Sequence, residues 1–308
     1  MSIIDVKQFR KSLTYISIAP ISKILAGLEE IKEIDRDAEI KQKARSKKIY
    51  YSLGGIFGSI ILLVILSQLS FLPEVLIGFL GILLILAAPI CFVAMMIFIV
   101  LYFRIGRLNL DNYRYESTYK ILQFLDRDID KNAEVEVKLS FRKIDSKEYK
   151  KNTVPHPQKP GWKIDYLEQD WLMIQGKFLD KTRFTVTLTN LAKKQYGWKT
   201  NYRGKRKYKV KTKSSGLDIH LALNYPQNRY AAIKDLENKL LKSIQVPQSA
   251  YVKGVKITDK ALHLIVRLES QLIDNSQEIY QTILMMFLSC YQSLNLAKKI
   301  SKSSDNYA

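Results

Sequence analysis

Cysteine and histidine are scarce, with two and three in 308 residues. Cys91 and Cys290 supply no disulfide framework, and two unpaired thiols suit a reducing compartment. No Cys/His spacing for a structural metal is present, nor a serine nucleophile elbow, nor a glycine-rich dinucleotide fingerprint. The segment from Gly197 through Gly204 and Lys205 imitates a phosphate loop poorly. Six residues separate its glycines instead of four, and Arg206 stands where Ser or Thr belongs. His156, His220 and His263 are far apart along the chain and read as ordinary loop or strand residues. With no catalytic motif, the expectation is a protein that is not an enzyme and carries no cofactor and no metal.

Charge is missing from two long runs, residues 49–72 and 75–103, separated only by Pro73 and Glu74. Each exceeds the roughly 20 apolar residues that carry a helix across a bilayer. So short a connection predicts a tight transmembrane hairpin with both ends on one side. Pro73 and Glu74 suit a helix start, where the missing N–H costs nothing and an acid meets the positive end of the helix dipole. Pro89 predicts a kink. Gly54 and Gly58, with Gly78 and Gly81 in the second run, are candidates for close helix packing, within the hairpin or between copies. No Asp, Lys, Arg or His lies in either run, which speaks against a transporter or proton relay.

Basic residues near the membrane ends set orientation. Lys41, Lys43, Arg45, Lys47 and Lys48 precede the first run, and Arg104, Arg107 and Arg114 follow the second. The turn, 67–75, has none. The expected location is therefore the cytoplasmic (inner) membrane, with two passes and both termini cytoplasmic. A signal peptide would place its apolar region near the N-terminus, whereas here 48 residues come first, eleven of them basic.

Three parts follow. Residues 1–48 form a cytoplasmic amphipathic helical segment, with Ile24, Leu25, Leu28, Ile31 and Ile34 at helical spacing beyond a break at Pro20, continuing as helix into the first span. Residues 49–103 are the hairpin. Residues 104–308 form a basic α+β domain. There the pattern predicts a helix over 113–129 and a strand over 134–142. Residues 143–161 read as a loop, followed by a hairpin of 171–179 and 183–191 turned at Asp180-Lys181. Strands over 195–201, 202–213 and 217–223 come next, then a helix over 229–244, a hairpin of 251–257 and 261–268, and a final helix over 275–300. That final helix is charge-free over 279–297 but holds too many polar groups for hydrocarbon, so it reads as a core helix. The strands make an antiparallel sheet or a partly closed barrel with helices packed on it.

Acid is absent from residues 181–217, which hold twelve of the 49 basic residues behind the net charge of +20. Arg203, Lys205, Lys207, Lys209, Lys211 and Lys213 occupy every second position, with Arg206 among them. On a strand they share one face at about 6.6 Å spacing, leaving Tyr208 and Val210 to face a core. Lysines can protect a sheet edge from aggregation, seek the anionic inner leaflet, or track a phosphate-bearing ligand, with Tyr196, Trp198, Tyr202 and Tyr208 as stacking surfaces. The expected function is a membrane-anchored protein, a homo-oligomer, whose basic domain binds an anionic partner through this ridge: lipid headgroups, a nucleotide or nucleic acid. Alternatives are a signal-gated membrane effector or pore with a nucleotide-sensing β-rich domain, and an assembly scaffold.

Overall fold

A computed structural model describes residues 4–68, 73–230, 233 and 244–305. The chain is α+β and divides into two compact units, Met1–Glu29 with Asp111–Ala308, and Glu30–Leu110.

The first unit is built on one antiparallel sheet. Its strands are β1 (Thr14–Ala19), β2 (Val135–Ser140), β3 (Lys150–Pro155), β4 (Lys163–Lys177), β5 (Arg183–Thr200), β6 (Arg206–Asn224), β7 (Ala250–Ile257) and β8 (Ala261–Leu268). The order is β1-β2-β4-β5-β6-β8-β7, with β3 beside the start of β4. Among the described residues β1 and β7 are the ends of this order, so the strands form one antiparallel sheet with two free edges. Alternation decides which face is buried. Val137 and Leu139, Leu172 and Ile174, Val186 and Leu188, Ile219 and Leu221, and Leu264 and Val266 line one side at 0–1% exposure. Each such side chain contributes about 1.5–3 kcal/mol relative to exposure.

Helices α4 (Asn112–Leu125) and α5 (Ser276–Asp305) pack together, and α5 also meets β6 and β8. Phe287 of α5 joins the layers, 6.0 Å from Phe124 of α4 and 6.1 Å from Phe184 of β5 between ring centroids. Asn275 caps α5, accepting from the Gln277 and Glu278 amides at 3.0 and 3.3 Å. Inside the charge-free stretch, Thr282 donates to the Glu278 carbonyl at 2.7 Å and Ser289 accepts from the Gln245 amide at 3.1 Å. Those polar groups are thus satisfied in a protein core, as the sequence suggested.

Several expectations need correction. The N-terminal segment is not all helix: after α1 (Val6–Ser12), β1 pairs with β2 along its whole length. Short and alternating, Tyr15-Ile16-Ser17-Ile18 lacks the Gly or Pro boundary on its N-terminal side that would announce a strand. The stretch 143–161 holds β3 as well as turns. The strands expected over 183–191 and 195–201 form the single strand β5, and those over 202–213 and 217–223 form β6, the β5–β6 ladder continuing past one extra residue at Ser215. Arg114, counted from the sequence among the basic residues after the second run, is held inside the sheet unit. It is 3% exposed and donates to the Ser140 and Arg142 carbonyls at 2.7 and 3.1 Å. The helix expected over 229–244 lies mostly outside the described residues.

The second unit is an antiparallel pair of long helices. α2 (Ile21–Leu66) continues unbroken from the charged segment into the apolar one, and α3 (Glu74–Gly106) runs through Pro89. Contacts descend in step. Gln42 meets Gly106, Arg45 and Lys48 lie 5.8 and 5.6 Å from the Phe98 ring centre, and Gly55 faces Cys91. Asp35, 1% exposed, accepts from the Leu110 amide at 2.8 Å where α3 has ended. Both helices are long and apolar enough to cross a membrane, and none of the most apolar window of α3 is buried. Phe57, Ile61, Ile82 and Ile90 are all more than half exposed.

Candidate anionic-partner interface

The C-terminal half of β5 and the N-terminal half of β6 run past the helix-covered core as an arm. Asn201 closes the turn between them, accepting from the Arg203 and Lys205 amides at 3.1 and 2.9 Å. Gly204 follows with φ +76°, a conformation that favours glycine. A brace holds the arm from the side. The Trp162 indole N–H donates to the Trp198 carbonyl at 3.0 Å, and its ring lies against Gly197, where an added Cβ would come within 2.5 Å. Farther in, Asp165 accepts from Thr153 at 2.6 Å and Tyr196 at 3.2 Å and pairs with Lys150 at 3.3 Å. Burial raises the Asp165 carboxyl, but these donors outweigh it and leave it below its ordinary value.

Register sorts the basic residues. Lys207, Lys209, Lys211 and Lys213 share one face of β6, and Lys199 and Lys193 of β5 stand opposite Lys207 and Lys213. The ridge is therefore a two-stranded ladder of six lysines. Arg203 and Lys205 sit in the turn, and Arg206 belongs to the opposite face. No carboxylate lies within ion-pair distance of the six among the described residues; Lys193 instead lies 5.4 Å from the Tyr166 ring centre. Side chains directly opposite on paired strands stand about 4.5–5.5 Å apart, where like charges are destabilising.

The opposite face does not turn into a core. Tyr208 is 47% exposed, Val210 52% and Trp198 63%, and at the turn Tyr202 reaches 88%. The sequence expectation failed because both faces of a two-stranded arm are open once the helices no longer cover it. Trp198 and Tyr208 meet edge-to-face at 5.4 Å, and Arg203 covers Tyr202 at 5.1 Å.

At the base of the arm, on the same sheet face as the ladder, lies a cavity of about 610 Å³. Register shifts place one extra residue at Lys151, Trp171, Ser215 and Lys253. Three of these line the cavity, and such bulges bend strands and re-aim side chains. Trp171 goes the other way, fully buried against Tyr113. Apart from Lys193 of the ladder, the cations that line the cavity have carboxylate partners. Asp218 accepts from Arg267 at 2.6 and 2.8 Å and from Lys253 at 2.9 Å, and Lys151 pairs with Glu168 at 3.8 Å. Burial raises the Asp218 carboxyl, and the two cations more than reverse it. Unlike the ladder, this cavity already holds its counter-charges.

The histidines were expected to stand apart. Instead β6–β8 pairing stacks His220 on His263, centroids 5.5 Å and planes 17° apart, with Nδ1 of His263 3.3 Å from Nε2 of His220. Burial, then repulsion from His263, lowers the His220 pKa. Only knowledge of strand partners could have revealed that pair. Among the described residues no group of three or more His, Cys, Asp or Glu could hold a metal. Burial pushes the Cys290 thiol up to about 12, far from a reactive thiolate.

In the helix pair, a Cβ added at Gly54, Gly58, Gly78 or Gly81 would meet no neighbour, whereas one at Gly55 would lie 2.8 Å from the Cys91 sulfur. Close packing inside the pair is thus carried by Gly55, and the four glycines singled out from the sequence border open space. Comparison with protein-family models, with curated proteins and with solved structures finds no match.

Proposed function

We propose that this chain is a membrane-anchored, non-enzymatic binding protein. Its apolar helices cross the inner membrane twice, both termini are cytoplasmic, and the lysine ladder binds an anionic, phosphate-bearing partner or surface. The ladder carries this reading. Six ammonium groups share one face without an acid among them, two pairs of them directly opposed, on an arm whose contact there is the Trp162 ring over Gly197. Along 206–213 β6 pairs with β5 alone and its other side is an open edge, which lysines can protect, but setting two of them directly opposite lysines of β5 goes beyond that need. The membrane assignment rests on the uncovered apolar surface of α2 and α3 and on the basic residues beside their charged ends. The open glycines of those helices suit contact between copies.

The test is the full-length protein in neutral-lipid nanodiscs with Lys207, Lys209, Lys211 and Lys213 all changed to Gln. Retention on phosphatidylserine vesicles or on single-stranded oligonucleotide should fall at least tenfold and lose most of its salt dependence. Unchanged retention on both would remove the ladder from the contact. Protease mapping that puts the two termini on opposite sides would overturn the topology.

A further inference from the structure

The arm has two unlike faces, and its end has both characters at once. Lysines line one side, while Trp198, Tyr208 and Val210 lie open on the other. At the tip, Tyr202 stands out beneath the Arg203 guanidinium, with Lys205 and Arg206 beside it. Exposed aromatics on a soluble surface cost free energy, and Trp and Tyr favour the water–membrane boundary, where an apolar ring and a polar edge are both satisfied. We infer that the tip of the β5–β6 arm enters the headgroup layer of an anionic bilayer end-on, seating Trp198 and Tyr202 among the lipids while Lys199, Arg203, Lys205, Arg206 and Lys207 meet phosphates. This rests on the anionic-surface reading above and commits it to lipid.

The placement of the two faces decides between occupants. A single nucleic-acid strand would need phosphate contacts and stacking rings on one side, as a groove provides. Trp162 and Tyr166 share the lysine side but are part-buried and already faced by Lys159 and Lys193. The open rings of Trp198 and Tyr208 point to the other side, so a medium that surrounds the arm is what touches both lysines and open rings. From Trp198 and Tyr208 to the end of the turn is about three residues of strand, so entry to that level is about 10 Å deep. The tip is stiff enough to insert as a unit, because Asn201 ties the turn and Trp162 pins the Trp198 backbone. Lys213, at the inner end of the ladder, stays outside the headgroups.

The chain's three tryptophans are Trp162, Trp171 and Trp198, none in the apolar helices, so indole emission reports only on the sheet unit. The full chain would be reconstituted in bilayers containing brominated phosphatidylcholine, with and without phosphatidylserine. Emission assigned to Trp198, as the difference from Trp198→Phe, should be quenched about twofold or more only with phosphatidylserine, and salt should reverse it. The substitution keeps the carbonyl that Trp162 uses and alters a side chain 63% exposed, so the arm is retained. Lys207→Gln should relieve quenching several-fold more than Lys213→Gln. Unquenched Trp198 on vesicles that the ladder still holds would overturn insertion while leaving the anionic-surface reading intact. Equal effects of Lys207→Gln and Lys213→Gln, with Trp198 responding to oligonucleotide and not to lipid, would assign the arm to nucleic acid instead.

Discussion

His220 shows how much of this protein's behaviour depends on neighbours that its own strand does not announce. Asp218 lies two residues before it, held by Arg267 and Lys253, and His263 stacks on its ring. With its pKa lowered by burial and then by His263, the imidazole binds fewer protons in the folded protein than in the unfolded chain. An unfolded histidine titrates near about 6.5, so stability rises with pH through that region and is lost as pH falls below it. Asp218 acts in a lower window: its stabilisation is present above about 3.9 and disappears as pH drops through its lowered folded value. The thermal midpoint of the detergent-solubilised protein, followed by β-sheet circular dichroism, should fall between pH 7.5 and 5. His220→Gln should flatten that decline and leave the acid limb below pH 4 in place. An unchanged slope in the variant would show that His220 is not the titrating group.

At the scale of elements, the arm exists because its register is braced. Gly197 lets the Trp162 ring lie on the strand, and any side chain there collides with three ring carbons. Gly197→Ala should expel Trp162, costing about 1–3 kcal/mol, and the freed indole should shift its emission to the red. Trp162→Phe should remove that shift, and an emission spectrum unaltered by Gly197→Ala would deny the brace. How far such elements can be read from sequence depends on whether their pattern is local. Val135, Val137 and Leu139 alternate, Asp180-Lys181 marks a turn, and the apolar repeat of α5 has helical spacing, so each was legible. Of the six alternating basic residues, Lys207, Lys209, Lys211 and Lys213 were legible as one strand face, although only pairing adds Lys193 and Lys199 and assigns Arg203 and Lys205 to the turn. The exposed face of the arm was not legible. Tyr208 and Val210 alternate as a buried face would, and what leaves them open is the extent of helices coming from elsewhere in the chain. The bulges at Lys151, Ser215 and Lys253, and the cavity they shape, are likewise properties of partner strands.

The whole molecule joins a pair of helices with long charge-free stretches to a body that carries most of the net charge of +20. If copies associate through the open glycines, Gly54→Leu with Gly58→Leu should leave α2 and α3 paired, since neither site meets α3, while shifting the detergent-solubilised protein toward monomer in sizing by light scattering. Gly55→Leu should act differently, disturbing the pair itself at Cys91 and lowering recovery from the membrane. Equal oligomer sizes for native and doubly substituted protein would discard self-association through this surface. The unpaired lysines have a further consequence for energetics. Small mobile anions from the surrounding solution must gather along them, because nothing covalent balances their charge. A polyanionic surface that takes those places sends the small ions back into bulk water. Docking would thus draw its drive from their regained freedom rather than from heat, and a calorimeter should record a weak signal even where attachment is tight.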